Sequence, residues 1–268
     1  MKVSTLCILF ALGIPMFLLG CGGDDSEMGS LSIQITDAKP LLEVDAIQVL
    51  ITFDEVRAHR AGGGWVSLPM AQSPYTIDLL QFIDGNSTQL VPPVELESGK
   101  YTQLRLGVTE GSLVTADGED PLEIPSEFLK TSKNFDFDVD SGEAVDLMVD
   151  FDLSQSIKPK QDGYQLKPVL HLNETQRAAQ IRGSIAASTF VDSEAEVTVT
   201  HDGEEYTKLL VTKTDDVNPT EFSIFWLVPD NEYTVLVEVD GTTALDEDVA
   251  AADLEPGEVY TLNSGSPI

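Results

Sequence analysis

Cysteine is nearly absent: Cys7 and Cys21 are the two in 268 residues, and no thiol follows position 21. A disulfide framework, a thiol nucleophile and Cys-ligated zinc or iron–sulfur are therefore excluded from residues 22 to 268, whose stability has to come from packing. Histidine is scarce as well. His59, His171 and His201 lie in separate segments without His-x-x-His or His-Glu-x-x-His spacing, so solvated or capping roles are expected for them. Basic residues are few, 15 Lys and Arg against 46 Asp and Glu, a formal charge of −31 that repels a phosphate backbone and excludes nucleic acid as a partner. Tracts of Pro, Gln or Ser are missing. With 42% hydrophobic and 23% charged residues, the bulk of the chain is globular rather than disordered or fibrous. A Gly-x-Ser-x-Gly elbow, a phosphate-binding glycine loop and a dinucleotide fingerprint are also missing.

One long apolar run is present. Met1 and Lys2 lead into the uncharged stretch Leu6 to Leu19, whose 14 residues rise only about 21 Å as a helix, short of a bilayer core of roughly 30 Å. This reads as a secretory signal and not as a span. The run ends in Leu18-Leu19-Gly20-Cys21, which resembles the lipobox of bacterial lipoproteins. The resemblance implies cleavage between Gly20 and Cys21, so that residues 1–20 are the signal peptide. It also implies a diacylglycerol on the Cys21 sulfur, with acyl chains such as palmitate as membrane anchor and no spanning helix. Residues 21–30, with Asp24, Asp25 and Glu27, read as an acidic flexible tether. Lipoprotein sorting treats Asp directly after the lipidated Cys as an inner-membrane signal. Gly22 stands there instead, which favours the outer membrane.

Beyond the tether the pattern is that of strands. Leu31, Ile33 and Ile35 share one face, as do Ile47, Val49, Ile51 and Phe53, after which Val56 and Ala58 shift phase as a bulge requires. The β-branched residues at 47, 49, 51, 52 and 56 favour strand over helix for 41–59. Phe135, Phe137 and Val139 are followed by Val145, Leu147, Val149, Phe151 and Leu153, with a hairpin turn expected at Ser141-Gly142. Helix is expected only as single turns, around Leu79 to Phe82 or Ser126 to Thr131. The predicted fold class is all-β, two antiparallel sandwiches: residues 31–172, a linker over 173–180 where no strand pattern is evident, and residues 181–268. The second part is about twice as acidic per residue, with 19 acids and 2 bases from 192 to 268.

Residues 31–172 resemble the bacterial lipoprotein family called domain of unknown function 4382. The matching segments include Leu31-Ser-Ile-Gln-Ile-Thr36-Asp37-Ala38, with Lys39 interposed before Pro40, then Gly64-Trp65-Val66-Ser67-Leu68, Leu96 to Leu106, Asp150 to Ile157 and Gly163 to Leu170. The resemblance implies an all-β domain and carries over no functional residue. Phe222 to Gly241 is similar to the penultimate hairpin of a prealbumin-like, carboxypeptidase-regulatory-type sandwich, with Pro229-Asp230-Asn231 in place of the usual Pro-Gly turn. Such modules are commonly spacers.

The remaining candidates are weighed by chemistry. Asp136, Asp138 and Asp140, with Asp150 and Asp152 nearby, suggest calcium, but a loop starting at Asp136 places Ser141 and Leu147 where an EF-hand needs Gly and Glu. A strand with a wet face explains these aspartates more simply. Trp65 after Gly62-Gly63-Gly64 is expected to close a hairpin onto the core, with stacking on a sugar ring as the alternative. Arg105 and Lys167 alternate with apolar neighbours, as on a polar strand face. A glycosidase-type carboxylate pair carries no signal among 46 acids. The reading is a non-enzymatic, lipid-anchored envelope protein with a binding or scaffold role. No catalytic residue, cofactor or metal ligand is expected, Cys21 is the lipid-attachment site, and the membrane is a partner through that lipid. The alternatives are a calcium- or glycan-binding surface lipoprotein and an envelope hydrolase using paired carboxylates.

Overall fold

The computed structural model describes residues 27–37, 45–126, 128–130 and 136–268. The signal segment, Cys21, Lys39 and Pro40 lie outside the described residues, as does Phe135. Among the described residues the first half carries thirteen strands. They are β1 (Met28–Thr36), β2 (Gln48–Arg60), β3 (Trp65–Leu68), β4 (Tyr75–Asp78), β5 (Thr88–Glu97), β6 (Gly99–Thr115), β7 (Gly118–Glu123), β8 (Phe128–Lys130), β9 (Phe137–Val139), β10 (Ala144–Asp152), β11 (Ile157–Lys160), β12 (Gly163–Leu166) and β13 (Val169–Glu174). The second half carries β14 (Ala179–Ile185), β15 (Glu194–His201), β16 (Glu204–Thr212), β17 (Thr220–Leu227), β18 (Tyr233–Val239), β19 (Thr242–Val249) and β20 (Val259–Thr261). The fold is all-β. Among the described residues helix is confined to single turns, such as α1 (Leu153–Ser156) and a 3₁₀ turn at Leu79–Gln81.

Period-two alternation builds both cores. In the first, a sheet of order β13-β10-β1-β5 faces a larger sheet in which β11-β12-β7-β6-β2-β3 run side by side, β4 adding to β2 and β8 and β9 to β6. Leu31, Ile33 and Ile35 meet Val49, Ile51, Phe53, Leu104, Leu106, Val149 and Phe151 in one buried cluster. Full burial of such side chains contributes about 1.5–3 kcal/mol each. The phase change in β2 is a bulge, with register shifts on both sides of Phe53. The second core lies between β17-β14-β20 and β16-β15-β18-β19. It contains Ile181, Val197, Val199, Phe222, Ile224, Tyr233, Val235 and Leu262. Gly183 sits beneath the Phe222 ring, where a Cβ would lie 2.7 Å from Phe222 Cε1.

Several expectations are corrected. The sheets are not wholly antiparallel: β1 with β10, β7 with β12 and β14 with β20 run parallel. A turn does form at Ser141-Gly142, with Gly142 at φ 77°, yet β9 and β10 join different sheets. The reason is β1, whose Met28 carbonyl accepts from Gly142 N at 2.8 Å and whose Ser30 N donates to Glu143 O at 2.8 Å, drawing the chain across the sandwich. The same strand takes in the end of the expected tether, residues 28–30, where a Cβ on Gly29 would lie 2.7 Å from Val139 Cγ1. Half of the expected linker is strand: β13 runs to Glu174 and β14 begins at Ala179. Between them a tight turn is closed by Arg177 N and Ala178 N, both donating to Glu174 O at 3.0 Å. Residues 128–130 are strand and not a helical turn, because Leu129 is buried opposite Leu106 on β6.

Candidate functional site

The five aspartates that suggest calcium are not brought together. Asp136 pairs with Lys100, Asp138 is exposed on β9, and Asp150 and Asp152 lie on β10 in the opposite sheet. Among the described residues no group of three His, Cys, Asp or Glu is placed to hold a metal. The three histidines also stay apart, each with its own partner: His59 with Thr102, His171 with Tyr206, and His201 Nδ1 with the Glu232 carbonyl. Cys21, the one site residue expected from the sequence, lies outside the described residues.

Asp150 and Asp152 are not on a wet face. They are 4% and 1% exposed. Leu147, Val149 and Phe151 point to the first core, which turns Met148, Asp150 and Asp152 to the other side of the sheet, and there the second half covers them. Asp152 caps α1 by accepting from Gln155 N at 3.0 Å. That positions the Gln155 amide to donate to the carbonyls of Glu205 (3.1 Å) and Tyr206 (3.0 Å) on β16. His171 Nε2 donates to the Tyr206 carbonyl at 3.0 Å, and its ring stacks on that of Tyr206 with centroids 4.1 Å apart. Asn173 Nδ2 donates to the Trp226 carbonyl, at a residue held at φ 60°. Tyr206 in turn meets Tyr233 edge-on at 5.2 Å. Burial lowers the His171 pKa below its ordinary value, against the opposing pull of the Asp152 carboxylate. Burial also raises the Tyr206 phenol well above its ordinary range, helped by Tyr233 and Asp150. The sequence offered Asp150, Asp152 and His171 as candidates. It did not reveal Gln155, Asn173 or Tyr206, because a polar residue on a strand or a single helical turn looks the same whether water or another domain covers it.

A second constellation occupies the outer face of the larger first-half sheet. Val56, Ala58, Leu104 and Leu106 point inward, so Arg57 and His59 of β2 and Arg105 of β6 point out. Register sets Arg57 directly opposite Arg105, with Ser67 of β3 on its other side, and Lys130 of β8 opposite Arg105. The two guanidiniums lean past each other toward aromatic rings. Arg105 Cζ lies 3.8 Å from the Trp65 ring centroid, and Arg57 Cζ lies 5.6 Å from that of Phe128. Arg57 Nε also donates to Glu55 Oε1 at 2.5 Å. Arg105 makes no ion pair among the described residues, and its Nε is buried without a hydrogen-bond partner. Trp65 therefore does not fold onto the core as expected. It is the cross-strand partner of His59, its ring 5.0 Å from that imidazole, because an odd position on β3 faces the same way as Arg57 and His59. His59 is held by a 3.0 Å hydrogen bond between its Nδ1 and Thr102 Oγ1.

On the same sheet a trough of about 640 Å³ is lined by Thr52, Thr76, Thr109, Glu110, Ser112 and Glu119, with Leu50 and Ile124 also in its wall. Its carboxylates make it a poor seat for an anion, in contrast with the arginine pair.

The fold and these two constellations define a two-core β protein whose polar chemistry is concentrated at an interdomain seam and on one open sheet face. The chain belongs to the family described as Domain of unknown function (DUF4382), which matches residues 28–168. No curated protein matches it. Among solved structures, similarity is found to the Bacillus anthracis TIE protein at 13% identity and a TM-score of 0.22, covering 87% of this chain and 33% of that one. It extends to the shaft pilin SpaA of Lactobacillus rhamnosus GG, at 11% identity, a TM-score of 0.21 and coverage of 90% and 98%. The fimbrial anchor protein Mfa2 of Porphyromonas gingivalis is similar at 10% identity, with a TM-score of 0.20 and coverage of 84% of each chain. This chain thus spans about a third of the first of these. TM-scores of this size assign nothing beyond the family.

Proposed function

We propose that the protein is a non-enzymatic bacterial envelope lipoprotein, held at the outer membrane by lipid on Cys21, with a binding or scaffold role. The observation that carries this reading is the order Leu18-Leu19-Gly20-Cys21 at the end of the apolar run. Two or three acyl chains at about 0.8 kcal/mol per buried methylene suffice as an anchor. The absence of catalytic work is supported by where the perturbed groups lie. His171 Nε2 is already engaged by the Tyr206 carbonyl, and the Tyr206 hydroxyl is buried in the seam. The second half, read as a prealbumin-like module, acts as a spacer fixed to the first through the seam. A glycan-binding role is the second reading, favoured by Trp65 standing on the outer face beside Arg105.

Fractionation of cells making the wild-type chain or Cys21→Ala tests the anchor. The wild type is expected in the membrane fraction and the variant in the soluble fraction. Retention of Cys21→Ala in the membrane contradicts the proposal.

A further inference from the structure

We infer that the outer face of β2, β3, β6 and β8 binds the carboxylate or sulfate group of a short acidic oligosaccharide. The starting point is an electrostatic oddity. Two arginines stand directly across adjacent strands, an arrangement that like charge disfavours. They do so in a chain with 46 acids and 15 bases, where an acidic neighbour is the commonest thing to find. Arg57 has taken one such neighbour, Glu55, but Arg105 has none among the described residues. The fold does not need this row for packing, since the inward residues of the same strands make the core.

The aromatic partners say what kind of ligand fits. Trp65 fixes the Arg105 guanidinium by its face, and Phe128 lies against that of Arg57. A guanidinium held by its face keeps the edge formed by its two terminal Nη groups for hydrogen bonds, and that edge matches a carboxylate or sulfate with two parallel bonds. Around the pair are neutral groups that bond hydroxyls: Ser67 opposite Arg57, Gln103 opposite His59, and Thr102, which already holds the His59 ring. Oxyanion donors flanked by hydroxyl-bonding side chains and rings suit an acidic sugar better than an acidic peptide. The net charge of −31 works against a long polyanion, so the ligand is short.

This assignment rests on the binding role proposed above and gives it a ligand, but it is independent of the anchor. The experiment is calorimetric titration of the full chain in detergent with a galacturonate trimer, with the neutral galactose trimer and a short oligoglutamate peptide as comparators. Binding of the acidic sugar is expected, weakened by added salt and absent with the neutral one. Arg105→Gln is expected to reduce affinity at least about tenfold and Arg105→Lys to restore little of it, because the paired N–H edge is lost. Arg57→Gln serves as a second variant if the first fails to fold. Equal binding of the neutral trimer, no binding of the acidic one, or unchanged affinity in folded Arg105→Gln and Arg57→Gln overturns the assignment. Binding of oligoglutamate in place of the sugar overturns it too. Each of these results leaves the fractionation behaviour of Cys21→Ala untouched, so failure of the ligand and failure of the anchor are told apart.

Discussion

Replacing Tyr206 with Ala should weaken the coupling between the two cores. Among the described residues the seam contains direct hydrogen bonds from Gln155 to two carbonyls, from His171 and from Asn173, four in all. At a net 0.5–1.5 kcal/mol each, they couple the halves by about 2–6 kcal/mol. Tyr206 adds its stack on His171 at 4.1 Å and its edge contact with Tyr233 at 5.2 Å, about 0.5–1.5 kcal/mol each beyond the area they bury. Its removal should cost about 2–3 kcal/mol, less than a fully buried aromatic because part of the residue faces solvent. The two tryptophans make the assay direct, since Trp65 lies on the first half and Trp226 on the second. Denaturant unfolding followed in Trp65→Phe and Trp226→Phe backgrounds should give coincident midpoints with Tyr206 present, and lowered midpoints that begin to part once Tyr206→Ala removes the ring, the four hydrogen bonds to main-chain carbonyls remaining. Coincident, unshifted midpoints after the substitution would refute the seam as the coupling element.

Gly183→Ala should destabilise by about 1–3 kcal/mol through overpacking against Phe222 and Leu262, whereas Gly64→Ala, with open space around it, should stay within about 0.5 kcal/mol of the wild type; thermal melting of both measures the contrast. His171, whose folded pKa is lowered by burial, contributes fully above the ordinary pKa of 6.5. That contribution is lost as pH falls below it, because the unfolded imidazole takes up a proton that the folded one resists. As pH falls from about 7.5 through 6.5 the wild type should therefore lose more stability than His171→Gln, read as the difference between their denaturation curves. An equal loss in both would place the charge-sensitive group elsewhere.

How far the sequence could be read follows from what period-two patterning encodes. It places Leu31, Ile33 and Ile35 on one face and locates the bulge near Phe53, since both depend on a strand's own residues. It does not encode what lies over the opposite face. Asp150 and Asp152 look solvent-facing because the element that covers them is fifty and more residues away in β16 and β17. The same blindness hid the partners of β9 and β10, because a turn such as Ser141-Gly142 fixes a change of direction and not the sheet that each arm joins. Trp65 takes the outer face for a related reason. Its glycine-rich approach signals a hairpin, but only the register with His59 decides which face the indole takes. The arginine pair was legible as two polar-face cations and not as neighbours, since their opposition depends on the β2–β6 register across the bulge.

The central claim, a lipid-anchored envelope protein, is tested most directly at position 21. Mass spectrometry of the amino-terminal peptide of the chain purified from bacterial membranes should find Cys21 as the first residue, carrying a diacylglycerol thioether. An amino-terminal peptide that retains residues before Cys21, or one that begins elsewhere with Cys21 unmodified, would contradict it.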